Sequence, residues 1–428
     1  MRMLKKLNII VVVLLLCTSC TSLKTQKTTA NKCWIGTWVS AQQLTERQNT
    51  PQRASLTNNT LRQVVHTTLG GSKLRIQFSN AYGNGPVTIQ AAHLADSKGD
   101  SAIDTATDKA LTFGGSSSVT IPAGEEIYSD ALEYNVKPLS NLAVTIYFGE
   151  TSSNITGHPG SRTTSYIQEG NAVTAAELKP IDQMEHWYNL SEIDLWLDNS
   201  YACVVTLGDS ITDGRGSTDN QNNRWPDFLA KRLLANPDTA KVGMLNQGVG
   251  GNTMTTGGLG VPVSKRFEHD VLDPCGVKWV LVLEGVNDIG NSGGFGGFGR
   301  GGFNRGGFNQ QGGNTGGGNV PDKADQVIAV FEQIIEQAHA KGVKIYGSPI
   351  LPFMGSQYRN EQAREKINEW ILTSGKFDAV VDLAAAVCDP GDPTRLKAEY
   401  DSGDHLHLSP AGYEKMADAI DLNLFKLN

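Results

Sequence analysis

Ala202-Cys203-Val204-Val205-Thr206-Leu207-Gly208-Asp209-Ser210-Ile211-Thr212-Asp213-Gly214 is the stretch that decides the fold. Its first half is a short, continuously apolar run, the pattern of a strand buried on both faces. Its second half is a turn that carries a serine. Similar apolar runs recur at 242–245, 279–283, 343–346 and 379–383. Amphipathic helical stretches lie between or after them, at 225–235, 324–340, 360–373 and 410–424. Doubly buried strands alternating with helices predict an α/β sandwich around a parallel sheet. Ligands of such sheets bind outside the carboxyl ends of the strands.

The chain before this point reads differently. Leu74-Arg75-Ile76-Gln77-Phe78, Val87-Thr88-Ile89 and 142–148 alternate apolar with polar residues, as half-buried strands do. Turn residues separate them at 80–86, Gly114-Gly115 and Pro122-Ala123-Gly124. No long helical pattern interrupts them, so an all-β, sandwich-like region is expected.

Chemistry concentrates at the predicted strand ends. Ser210 follows the first α/β strand directly, and a serine hydroxyl becomes a useful nucleophile only beside a positioned base. Near the C-terminus, Asp401-Ser402-Gly403-Asp404-His405-Leu406-His407-Leu408-Ser409-Pro410 precedes a helix that can start at Pro410. The spacing lets Asp404 fold back on the Nδ1 of His407 while Nε2 faces Ser210, the order of a hydrolytic triad. His405 is the competing base, but as the neighbour of Asp404 it points away from it. Asp401 reads as a local support. Asn246-Gln247-Gly248-Val249-Gly250-Gly251-Asn252-Thr253 follows the second strand and Gly285-Val286-Asn287-Asp288 the third. Together with the Ser210 amide, the backbone N–H groups of those glycines and the Asn287 side chain form a candidate oxyanion hole. One such donor is worth about 3–4 kcal/mol of barrier. Gly250 and Gly251 are adjacent, and the residues alone do not choose between their amides.

These four blocks resemble those of the SGNH/GDSL hydrolase superfamily over residues 199–428. The resemblance implies a flavodoxin-like three-layer fold, with Ser210, Asp404 and His407 as catalytic triad and Ser210, Gly251 and Asn287 around the oxyanion. The stretches 208–217, Arg224-Trp225-Pro226-Asp227 and 400–407 are similar to a two-domain bacterial and fungal branch. So are Ile35-Gly36-Thr37-Trp38, Thr60-Leu61-Arg62-Gln63 and Phe78-Ser79-Asn80 in the β-rich part. That branch implies a serine esterase similar to xylan-associated esterases, acting on acetylated poly- or oligosaccharides. A lipase or lysophospholipase is the alternative, and a non-catalytic carbohydrate-binding surface protein the alternative of another class. Arg215, Arg224 and Trp225 are candidate substrate-pocket residues because they lie close to the nucleophile in sequence. Trp34, Trp38, Tyr82, Trp187 and Tyr188 are candidate sugar-stacking residues, with core filling the stronger reading of each.

The N-terminus carries an address rather than a fold. Lys5 and Lys6 precede an apolar run at 9–16 and then Cys17-Thr18-Ser19-Cys20. This is the layout of a secretory signal, too short for a permanent span. The small residues before Cys20 resemble a bacterial lipobox, with Cys17 where leucine is commonest. An exported bacterial lipoprotein of the cell envelope, held to a membrane through a lipid on Cys20, is therefore expected, with plain secretion after cleavage nearby as the alternative. The expected division is a signal peptide at 1–20, a polar tether at 21–31, a β-rich domain at 32–198 and the hydrolase domain at 199–428. A Gly-rich segment at 290–322 is expected to be a flexible insertion, with a mobile flap carrying Phe and Arg over the active site as the alternative.

Cys33, Cys203, Cys275 and Cys388 remain, and spacing cannot choose among the three pairings that four cysteines allow. Cys203, inside a strand pattern, is expected to be a buried free thiol. No Cys-x-x-Cys or His-rich cluster suggests a metal site, and no cofactor is called for. The net charge of −7, without a dense basic patch, argues against nucleic acid as a partner.

Overall fold

A computed structural model describes residues 31–290 and 322–427. The expected leader with Cys20, the tether up to residue 30 and the Gly-rich segment at 291–321 lie outside the described residues. The described residues from Lys32 onward form one compact unit.

The parallel sheet runs in the order Val242–Gly248, Ala202–Gly208, Val277–Leu283, Lys344–Gly347 and Ala379–Val380. The first strand in sequence thus lies between the second and third, a flavodoxin-like order whose switch point forms a crevice at the carboxyl ends. Strand alternation divides the core into two layers. Cys203, Val205 and Leu207 point to one face, where the helix Lys323–Ala340 packs through Val327, Phe331 and Ile334. Ala202 and Val204 point to the other, where Leu229 and Leu233 of Trp225–Ala235 meet Tyr413 and Met416 of Pro410–Asp418. Each fully buried Leu, Ile or Phe here contributes about 1.5–3 kcal/mol.

The last strand is shorter than its sequence pattern. Pairing stops at Val380, and Asp382 accepts a hydrogen bond from the Ala385 amide to start the helix Leu383–Val387. The C-terminal helix also ends early, at Asp418, and Leu422–Phe425 forms a separate 3₁₀ turn.

The region before Asp198 is built of antiparallel sheets, one of them ordered Lys32–Val39, Leu190–Asp198, Gly71–Ser79 and Leu132–Val136. A second contains Ser165–Glu169, Asn59–Thr67, Ser140–Phe148 and Val87–Gly99. The architecture changes near residue 199, but the packing is continuous. Ile35, Leu69 and Leu245 belong to a single hydrophobic cluster that spans both regions. The β region also covers the edge strand Val242–Gly248: the Met244 amide donates to Thr68 Oγ1 at 3.1 Å. Satisfying an edge amide this way removes a site for unwanted strand pairing.

Trp38, Trp187 and Tyr188 are buried, and Trp34 packs edge-on against Trp196 at 5.0 Å. The four described cysteines are unpaired; Cys203 is fully buried and donates to the Gly36 carbonyl at 3.1 Å. No described helix is long and apolar enough to cross a membrane.

Candidate active site

The strand Ala202–Gly208 ends in a single helical turn, Ser210–Asp213. Asp209 caps it, its Oδ1 accepting from the Ile211 amide at 2.8 Å. Burial pushes the Asp209 carboxyl up to about 7, against the pull of the Ile211 amide; nearby Asp288 and Asp213 add to the rise. Asn246 ties this turn to the neighbouring strand, donating from Nδ2 to the Thr212 carbonyl at 2.9 Å.

Ser210 Oγ lies 2.7 Å from His407 Nε2. His407 Nδ1 lies 2.6 Å from Asp404 Oδ2, and the His407 amide donates to Asp404 Oδ1 at 2.8 Å. The three side chains, from opposite ends of the hydrolase region, form one hydrogen-bonded line. His405 is placed elsewhere. Its ring is 53% exposed and pairs with Asp401 at 2.5 Å, so this second His–Asp pair is a local brace of the loop.

The ends of the line differ in wetness. His407 is 4% exposed, whereas the Asp404 side chain is 43% exposed. Burial is the largest influence on His407 and takes it below the usual imidazole range. Asp404 opposes that shift, and the guanidinium groups of Arg215 and Arg162 add to it. Asp404 is held well below the usual carboxylate range: burial alone would raise it, but the His407 ring and amide outweigh burial. At neutral pH the ring is therefore uncharged beside an ionised carboxylate, and its Nε2 can accept the Ser210 proton.

Ser210, Gly250, Gly251 and Asn287 line one cavity. Gly251 adopts a φ of +73°, where a side chain would also press on Leu259; glycine is the residue that permits this turn. Among the described residues nothing accepts a hydrogen bond from the amides of Ser210, Gly250 or Gly251. Asn287 donates from Nδ2 to the Asn252 carbonyl at 2.8 Å, and Tyr358 donates its hydroxyl to Asn287 Oδ1 at 2.7 Å. Those two bonds fix the amide's orientation, and its second N–H has no partner among the described residues. Uncommitted N–H groups around a serine suit an oxyanion.

Residues 206–415 match the model of the GDSL-like Lipase/Acylhydrolase family. This segment is a GDSL-like lipase/acylhydrolase domain. It places that segment in the SGNH hydrolase superfamily, as a carboxylic ester hydrolase domain. No curated protein matches the chain. Among solved structures, the chain is similar to a lipolytic protein of the G-D-S-L family from Desulfitobacterium hafniense, at 19% identity and a TM-score of 0.36, covering 51% of this chain and 97% of that one. It is also similar to a catalytic mutant of an acetylxylan esterase from Geobacillus stearothermophilus (18%, TM-score 0.35, 53% of this chain and 95% of that one). A carbohydrate acetylesterase from Sinorhizobium meliloti is matched at 14%, with a TM-score of 0.35 and coverage of 51% and 95%.

The GDSL domain does not close its own cavity. A cavity of about 500 Å³ opens over Ser210 and His407, and the β region forms one of its walls. Gln43, Glu46, Asn49, Gly160, Arg162 and His186 contribute to that wall. Glu46 is held in place by Gln43 at 2.7 Å and Asn49 at 2.9 Å. Of the three predicted pocket residues of the GDSL domain, Arg215 lines this cavity. Arg224 and Trp225 do not, which corrects the expectation drawn from their sequence proximity. Arg224 sits at the N-cap of the helix Trp225–Ala235 and turns back on Asp227, with hydrogen bonds of 2.7 and 3.0 Å. Trp225 is fully buried against the sheet. The aromatic candidates Trp34, Trp38, Tyr82, Trp187 and Tyr188 are likewise absent from the cavity lining.

Two further supports carried no local sequence signal. Tyr358 orients Asn287 from 71 residues away. Arg266 donates to Asn252 Oδ1 at 3.0 Å, to the Gln247 carbonyl at 3.0 Å and to the Gly208 carbonyl at 3.3 Å, clamping the ends of two adjacent strands beneath the GDSL site.

Proposed function

We propose that the enzyme hydrolyses short acyl esters, chiefly acetyl esters, on carbohydrate substrates such as acetylated xylan. The observation that carries this reading is the character of the cavity. Most of the residues that line it carry polar or charged groups, among them Gln43, Glu46, Asn49, Arg162 and Arg215, while Pro159, Leu259 and Leu406 are the aliphatic ones. A long acyl chain needs a continuous apolar trough, because each buried CH₂ contributes about 0.8 kcal/mol only when it leaves water for an apolar wall. A cavity with polar groups spread through its lining suits a polyhydroxylated alcohol and a small acyl group.

In this proposal Ser210 Oγ attacks the ester carbonyl carbon while His407 Nε2 takes its proton. Asp404 holds the ring in the required tautomer and stabilises the imidazolium. The Ser210 and Gly251 amides and Asn287 Nδ2 receive the negative charge of the tetrahedral intermediate. Collapse breaks the bond to the alcohol, which leaves with the proton from His407 and gives an acyl-Ser210 ester. Water, deprotonated by His407, then cleaves that ester and releases the acid. The N-terminal sequence supports export, with Cys20 as lipid attachment point, so the enzyme is proposed to work in the cell envelope.

Hydrolysis of aryl esters of rising acyl length, beside acetate release from acetylated xylan, tests the substrate class. The expected pattern is a maximum at acetyl, a steep fall by eight carbons, and acetate released from the polymer. A maximum at eight carbons or more, with the polymer untouched, would replace this reading with a lipase one.

A further inference from the structure

Asp213, three residues after Ser210, meets the β region rather than the solvent. Its Oδ1 lies 2.9 Å from His158 Nε2, and the other ring nitrogen of His158 faces the Ala41 carbonyl at 2.8 Å. Asp213 is 1% exposed, yet its Oδ2 has no hydrogen-bond partner among the described residues. Gly160 lies so close that a Cβ there would fall 1.8 Å from this oxygen. The nearest cation is Arg162, whose Nη2 stands 4.0 Å away, beyond hydrogen-bonding distance. Arg162 Nε is also buried and unpartnered. Its backbone has a φ of +51°, unusual outside glycine, with its carbonyl accepting from the Asn220 amide at 2.9 Å. Asp213, Arg162, Gly160 and Ser210 all line the one catalytic cavity.

A buried acceptor on Asp213 and a buried donor on Arg162, both unsatisfied, on side chains 4.0 Å apart at their nearest charged atoms, carry a cost that a bound ligand would remove. One oxygen that donates to Asp213 Oδ2 and accepts from the Arg162 guanidinium would satisfy both groups. A hydroxyl does both, whereas an ether or carbonyl oxygen only accepts. We propose that Asp213 and Arg162 form a hydroxyl-recognising subsite, which holds a free hydroxyl on the alcohol portion of a polyol ester. This deepens the esterase reading above and rests on it. It gives the β region a direct part in substrate choice, because Arg162, Gly160 and the His158 that holds Asp213 all come from that region. Sites that hydrogen-bond a substrate hydroxyl discriminate strongly against analogues lacking it.

The test compares a mono-acetylated methyl xyloside, which keeps free hydroxyls, with phenyl acetate, which has none, using the full chain. The readout is the ratio of kcat/KM for the sugar acetate to that for phenyl acetate. Any effect of Arg162 on His407 acts on both substrates and cancels in this ratio. In Arg162→Ala the ratio is expected to fall about tenfold or more, mainly through KM for the sugar, with partial recovery in Arg162→Lys. Asp213→Asn, checked for an intact thermal transition, is expected to lower the same ratio. A ratio within twofold of wild type in both Arg162→Ala and Asp213→Asn would overturn the subsite while leaving the esterase reading in place. A wild-type enzyme that turns over neither acetate would overturn the esterase reading and the subsite with it.

Discussion

Ser210→Ala is expected to lower kcat on phenyl acetate by roughly 10⁴–10⁶-fold, the range seen when a triad nucleophile is removed. The geometry explains the size of the effect. Oγ is the one hydroxyl placed 2.7 Å from His407 Nε2, and the other hydroxyl on the turn, that of Thr212, is fully buried. What survives is catalysis by the oxyanion donors and by binding alone. The fold should hardly notice. Ser210 is small and contributes one hydrogen bond, about 1 kcal/mol at most, so the thermal midpoint should move by no more than about 2–4 °C. Steady-state kinetics together with a melting curve check both halves. Substantial turnover in a well-folded variant would remove Ser210 from the chemistry.

Asp404→Asn is the second large effect, expected at about 10³–10⁴-fold in kcat. Asp404 Oδ2 accepts from His407 Nδ1, which leaves Nε2 bare toward Ser210. An asparagine amide in that place can present N–H to Nδ1 instead. The ring proton then moves to Nε2, where it blocks the serine. Raising the pH does not restore a base held in the wrong tautomer. Measuring kcat from pH 5 to 9 therefore separates this from a simple shift of the His407 titration. A loss that disappears at high pH would show that Asp404 acts only through the acidity of His407, not through its orientation.

Much of this arrangement was legible because motif and element coincide. The runs at 202–207, 242–245 and 279–283 read as doubly buried strands, and each leads directly into a motif whose side chains face the crevice. Asp404 and His407 were legible because their spacing suits one loop ahead of a helix with Pro410 at its start. Proximity in sequence failed as a guide at Arg224 and Trp225. The first turn of a helix packed on a sheet points inward, and Arg224 finds its partner in Asp227 three residues on. The β wall was invisible for the opposite reason. Gly160 and Arg162 meet the Ser210 turn across about fifty residues, and Gln43 and Glu46 reach it across more than 160. Contacts at such separations depend on how the two regions pack, and no local periodicity records them.

Covalent trapping tests the central claim most directly: the purified protein is treated with a fluorophosphonate, digested, and its peptides are weighed by mass spectrometry. A single adduct on the peptide carrying Ser210, formed in step with the loss of ester hydrolysis, is the predicted result. An adduct on another residue, or full loss of activity with Ser210 unmodified, would contradict it.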